Sequence, residues 1–142
     1  MEIKLKYITK ALEKIKNYDV VVASKFANGA KVDTPKMRKV SSFMYNEMAR
    51  VILGSHVLDH QAGFKFFQKR VVTDVLKKTR EKGWLFDTEL LYLVQKKHYT
   101  IYELPINIRY GYRKIRSTFI SDFLKLPIVL FSLKKRIDKR IK

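Results

Sequence analysis

Cysteine is absent from this 142-residue chain, which excludes disulfides and thiolate metal sites and fits a reducing compartment. Proline occurs 3 times and glycine 5, and there is neither an internal repeat nor a low-complexity segment. Acidic residues are few: 13 Asp and Glu stand against 31 Lys and Arg, a formal charge of +18. So large an imbalance costs self-repulsion unless something anionic offsets it, whether nucleic acid, an anionic membrane leaflet or a phosphorylated substrate. Long hydrophobic runs are also missing. The longest, Leu126 to Leu133, falls far short of the roughly 20 residues a spanning helix needs. Met1 to Lys6 alternates charged and apolar residues, unlike the apolar core of a signal peptide. His56, His60 and His98 form no ligand spacing and read as ordinary residues.

What is present is enough apolar material for one domain with a real core. The hydrophobic fraction is 46%, with 9 Phe, 8 Tyr and 1 Trp, a composition that argues against disorder. Leu5, Ile8, Leu12 and Ile15 stand at helical spacing over residues 5–16. Asp19 to Ala23 is a β-branched run suited to a buried parallel strand, followed by a polar loop to Thr34. Thr34-Pro35 reads as an N-cap with proline at the first helical position, and Gly54 as the stop signal of that helix. Between them Met37, Val40, Met44, Met48, Val51 and Ile52 line one side. Residues 63–67 then read as a strand, 69–80 and 86–97 as helices, and 99–108 as an edge strand that tolerates Pro105. This alternating order predicts an α/β fold.

The chemistry concentrates in two stretches. Asp59-His60-Gln61-Ala62-Gly63-Phe64-Lys65-Phe66-Phe67 sets a carboxylate, a glycine and a lysine among aromatics. Glycine permits close backbone approach, and charges beside an apolar wall need charged partners. The plain alternative is a surface turn entering an edge strand. Trp84-Leu85-Phe86-Asp87-Thr88-Glu89-Leu90-Leu91 follows some twenty residues later.

Five pieces in order resemble the family 2 glycosyltransferases, in the branch that makes dolichyl-phosphate glucose or mannose. Ala23-Ser24-Lys25 is similar to a Gly-Ser-Arg-like turn, and residues 36–43 to a basic amphipathic helix at the membrane interface. Asp59, Gly63, Phe64 and Lys65 match an Asp-x-x-x-Gly-Phe-Lys segment. Trp84, Phe86, Asp87 and Glu89 match Trp-x-Phe-Asp-x-Glu, and Glu103-Leu104-Pro105-Ile106 matches a strand preceding a basic loop. The loop departs from the family's Gly-Ser-Lys ending, running Arg109 to Ser117.

The resemblance implies the C-terminal part of a GT-A (Rossmann-like) domain over residues 1–116, with amphipathic interfacial helices, and a basic membrane-interface tail over 117–142. It implies an inverting hexosyltransferase moving a sugar from UDP-glucose or GDP-mannose to polyprenyl phosphate, peripheral at the cytoplasmic face of the membrane. The nucleotide-binding half, with an Asp-x-Asp site for Mg or Mn, would precede residue 1, so the chain is expected to be inactive alone and to need that half, possibly as a separate chain. No metal ligands are expected among these residues. Lys25, Arg38, Ser42, Lys65, Arg109 and Arg113 are expected at the acceptor phosphate. Asp59, Asp87 and Glu89 are the catalytic candidates, with Lys65 pairing with Asp59 or a phosphate.

Competing readings stand beside these. Arg38 also fits a solvated basic face, Asp87 and Glu89 also fit a helix start, and Trp84 and Phe86 read as core. Met37, Val40, Phe43, Met44 and Val51 could face core or lipid. The tail could lie on an anionic bilayer or pack on its own domain. A non-catalytic basic membrane protein is one alternative function. A nucleic-acid-binding module is another, but it leaves the motif order unexplained and no familiar nucleic-acid motif is present.

Overall fold

A computed structural model describes residues 5–109 and 119–141. The elements are α1 (Leu5–Lys14), β1 (Val20–Ser24), β2 (Lys31–Asp33), α2 (Lys36–Leu53), β3 (Lys65–Phe67), α3 (Lys69–Val75), α4 (Phe86–Lys96), β4 (Ile101–Pro105), β5 (Asn107–Arg109) and α5 (Phe119–Ile141). The fold is mixed α/β. β1 is the centre of a three-stranded sheet, parallel to β4 and antiparallel to β3, and every one of its residues is buried. A near-continuous Val run is what a strand covered on both faces requires.

The strand expected over 99–108 divides at Ile106. β4 stays in the main sheet, while β5 pairs in parallel with β2, inside the segment read as a polar loop. The Asn107 side-chain oxygen accepts the Lys31 amide at 3.1 Å and helps fix that register. The helix expected over 69–80 is also shorter. After Val75 it tightens into a 3₁₀ turn at Leu76–Lys78, closed by the Thr79 amide on the Leu76 carbonyl, and the Arg80 and Glu81 amides beyond it bond the Glu89 carboxylate.

The two faces of the sheet bury separate clusters. Val21 and Ala23 pack with Tyr7 and Ala11 of α1 and with Leu104 and Ile106. Val20 and Val22 pack beneath α2, α4 and α5. Alternation along β1 and β4 therefore decides which side each residue serves.

The start of α2 departs from expectation, and α2 and α5 each carry a covered and an exposed apolar face. Lys36 opens α2 with Pro35 at the cap position and no side-chain cap, and Thr34 Oγ1 is buried without a hydrogen-bond partner. Its C-terminus behaves as read, with Gly54 left-handed at φ 65°. Its core face is Tyr45, Asn46, Ala49 and Leu53, with Met48 and Ile52 against the cluster. Met37, Val40, Phe43, Met44 and Val51 are exposed. The choice between core and lipid left open for Met37, Val40, Phe43, Met44 and Val51 thus falls away from the core, because α2 is apolar on both faces and neighbouring elements choose which one is covered. In α5, Leu126, Leu130, Leu133 and Ile137 join the cluster beneath β1, at the four-three-four spacing of a packed helix. Leu124, Ile128 and Phe131 on its other side are exposed. No helix among the described residues is long and apolar enough to cross a membrane.

Candidate acceptor-phosphate site

At the C-terminal ends of β1 and β4 the face that buries Val20, Val22 and Ile101 turns polar, to Ser24 and Glu103. The register places Val22 opposite Glu103 and Ser24 opposite Pro105. Beyond β1 the chain turns sharply because the Ser24 hydroxyl accepts the Phe26 and Ala27 amides at 3.2 and 3.1 Å. That turn presents Lys25 to Asp59. Asp59 Oδ1 lies 2.8 Å from Lys25 Nζ, and Oδ2 accepts the Lys25 amide at 3.1 Å. Both side chains are largely enclosed, at 12% and 2% exposure. An ion pair so shielded fixes its two members in place, since separating them would strand a buried charge.

The 59–65 segment carries the arrangement toward α4. Lys65 Nζ bonds the Ala62 carbonyl and pairs with Asp87 Oδ1 at 2.7 Å. Lys65 therefore takes Asp87 as its partner, and Lys25 takes Asp59. Glu89 is fully buried. Its Oε2 accepts the Arg80 and Glu81 amides at 2.7 and 2.6 Å, and its Oε1 meets Arg140 at 2.7 Å. Its carboxylate braces the turn before α4 and ties α5 to it. Phe86 packs against the core as read, but Trp84 is 49% exposed, edge-to-face with Tyr45 at 6.0 Å.

Arg38, Ser42 and Asn46 recur at every fourth residue of α2 and so share one stripe. Arg38 and Ser42 are half-buried and Asn46 is buried. The lower end of the stripe reaches the Asp59 loop, because Asn46 Oδ1 accepts the His60 amide at 2.8 Å. Phe43, beside Ser42 on α2, meets the Phe26 ring of the turn after β1 at 6.4 Å. Arg109 lies apart on the second sheet, in an exposed pair with Asp33 at 2.8 Å. Arg113 falls outside the described residues.

Asn46, His60 and Glu103 belong to the site, and motif reasoning passed over them as participants. His60 is completely buried, with Nε2 2.9 Å from Ser55 Oγ and Nδ1 3.3 Å from Asn46 Oδ1. Burial, with a contribution from the Arg50 charge, lowers its pKa from 6.5 to about 4. The imidazole is neutral in the folded state and takes up a proton more readily when unfolded. Its contribution is therefore complete above pH 6.5 and declines as pH falls toward 4, by at most roughly 3 kcal/mol. Urea midpoints measured from pH 7.5 to 4.5 should fall across that window, and His60→Gln should flatten the fall. Tyr45, 2.6 Å from Thr88 Oγ1, is pushed by burial up to about 12 and stays a neutral phenol. Burial likewise raises the Glu103 carboxyl.

No group of three or more His, Asp or Glu among the described residues could hold a metal ion. No family model matches the chain. It is 28% identical over 105 residues to glycosyltransferase AglD of Haloferax volcanii, covering 72% of this chain and 17% of that protein. Over those residues it is similar to a glycosyltransferase. It also matches the dolichyl-phosphate beta-glucosyltransferase of Saccharomyces cerevisiae, 35% identical over 51 residues, 36% of this chain and 15% of that protein. The Dictyostelium discoideum protein of the same name is 27% identical over 71 residues, 50% of this chain and 22% of that one. The matched regions thus span between 15% and 22% of these relatives. The mixed α/β architecture is compatible with a glycosyltransferase domain of that kind.

Proposed function

We propose that this chain is the acceptor side of a GT-A, family 2 glycosyltransferase that moves a hexose from UDP-glucose or GDP-mannose to polyprenyl phosphate. The observation that carries the reading is the enclosed Lys25–Asp59 pair at the ends of parallel strands, with Asn46 of α2 bonded to the His60 amide next to it. Ligand sites in open α/β sheets favour that position.

The electrostatics suit a phosphate acceptor. A phosphate oxygen is already anionic near neutral pH and needs little help as a nucleophile. The obstacle is repulsion from the pyrophosphate donor, about 4 kcal/mol for unit charges 4 Å apart at an effective dielectric near 20. Lys25 and Arg38 would offset it, with Ser42 supplying a hydroxyl and Asp59 holding Lys25 in register. Lys65, screened by Asp87, would act further from the phosphate. Transfer with inversion follows from a single in-line displacement, in which the phosphate oxygen bonds the anomeric carbon as the nucleoside diphosphate leaves. Donor, metal and nucleotide contacts belong to a nucleotide-binding half.

The exposed Met37, Val40, Phe43 and Met44 beside Lys36 and Lys39, and the exposed Leu124, Ile128 and Phe131 of α5, favour a peripheral seat on the cytoplasmic face of an anionic bilayer. Apolar side chains enter the interface while lysines meet headgroups. A transfer assay tests the whole reading. This chain, joined behind the nucleotide-binding portion of the Dictyostelium relative, should glycosylate polyprenyl phosphate from labelled UDP-glucose or GDP-mannose. Neither part should do so alone. A fusion that binds the nucleotide sugar yet never labels the lipid would count against it.

A further inference from the structure

Asp59 is gripped on both sides. The amide before it, of Leu58, donates to Glu103 Oε1 at 2.6 Å, and the amide after it, of His60, donates to Asn46 Oδ1 at 2.8 Å. One grip comes from the sheet and the other from α2. Between them Asp59 turns both oxygens to Lys25, taking its backbone amide with one and its ammonium with the other.

Glu103 stands out of pattern in β4. It lies on the face shared with Val20, Val22 and Ile101, where an apolar residue would complete the alternation. Its Oε2 is buried and makes no well-formed hydrogen bond, with only the Ser24 hydroxyl and the Asp59 amide close to the carboxyl. A carboxyl kept in such a place costs stability unless it is needed for something else. The need visible here is reach. Leu58 N–H faces the sheet from a loop, and a carbonyl oxygen three bonds beyond Cβ meets it.

We propose that Glu103 is a positioning residue, setting the 55–60 loop so that Asp59 holds Lys25 at the acceptor phosphate. The phosphate part of this statement rests on the transferase reading; the clamp itself rests on geometry. Loss of Glu103 therefore acts at a distance, on the Lys25 amide and ammonium, which Glu103 does not itself bond.

Amide hydrogen exchange on the full chain reads this directly. In Glu103→Ala the Leu58 and Lys25 amides should exchange at least tenfold faster, while Val21 and Val22 amides keep their protection. Glu103→Gln retains an acceptor oxygen and should restore both. If the alanine variant fails to fold, Glu103→Asp, one methylene too short to reach Leu58, should show the same local loss. Unchanged exchange at Lys25, or faster exchange spread evenly along β1, would overturn the clamp. Binding to vesicles carrying polyprenyl phosphate separates the two layers. Accelerated Lys25 exchange with at least tenfold weaker binding supports the full proposal. The same exchange result in a protein whose unmodified form ignores the lipid keeps the clamp and removes its link to phosphate.

Discussion

Glu89→Ala is expected to lower stability by about 3 kcal/mol, a fall in melting midpoint of roughly 6–12 °C for a chain of this size. Glu89 has no solvent exposure, and its carboxylate satisfies two backbone amides and one guanidinium. Alanine would leave the Arg140 guanidinium without its carboxylate, held only by the Lys78 and Arg136 carbonyls, and would release the turn before α4. Arg140 is 25% exposed, so part of its charge can reach water, which holds the cost below the extreme for a buried pair. Glu89→Gln should recover about half, since an amide oxygen can still accept from Arg80 or Glu81 but its nitrogen cannot serve Arg140. Thermal unfolding followed by circular dichroism measures both. A midpoint within 2 °C of the parent would show that the brace is not structural, and would return Glu89 to consideration as a reacting carboxylate.

Asp59→Ala is expected to abolish transfer in the fused enzyme by about a hundredfold or more, the scale at which small displacements of reacting groups act. The reason is misplacement rather than loss of a reacting atom. Lys25 would swing from its enclosed position, and its amide would lose an acceptor, at a further cost of about 1–3 kcal/mol in stability. Asp59→Asn separates the two contributions. It keeps an oxygen for the amide but removes the charge that holds the ammonium, so stability should largely return while transfer does not. Kinetics of both variants, normalised to folded protein, decide the matter; equal activity for alanine, asparagine and parent would exclude Asp59 from the site.

Much of this was legible in the residues. The Val run of β1 could hardly be anything but a covered strand, and Gly54 sits left-handed where a helix must stop. Asp59, Lys25, Lys65 and Asp87 were all singled out by sequence, yet their pairing was not. Which lysine meets which carboxylate depends on the turn at Ser24 and on the Ala62 carbonyl, neither of which spacing encodes. The faces of α2 were illegible for a different reason: Met37 and Val51 are as apolar as Ala49 and Leu53, and only the placement of α4 and α5 decides between them. Glu103 was visible as part of a matched strand, but a lone acidic residue in an alternating segment carries no signal until the loop that uses it is in place. The tail gave its composition away and concealed its role, since Leu126, Leu130, Leu133 and Ile137 are core while Leu124, Ile128 and Phe131 are not.

Binding of the isolated chain to anionic vesicles with and without polyprenyl phosphate tests the central claim most directly. A charge of +18 guarantees some attraction to any anionic surface, and that part will fade with salt. The account predicts an additional increment at 0.3–0.5 M salt that requires polyprenyl phosphate and disappears in Arg38→Ala and Asp59→Ala. Binding that is the same with and without the lipid phosphate, at every salt concentration, would contradict it.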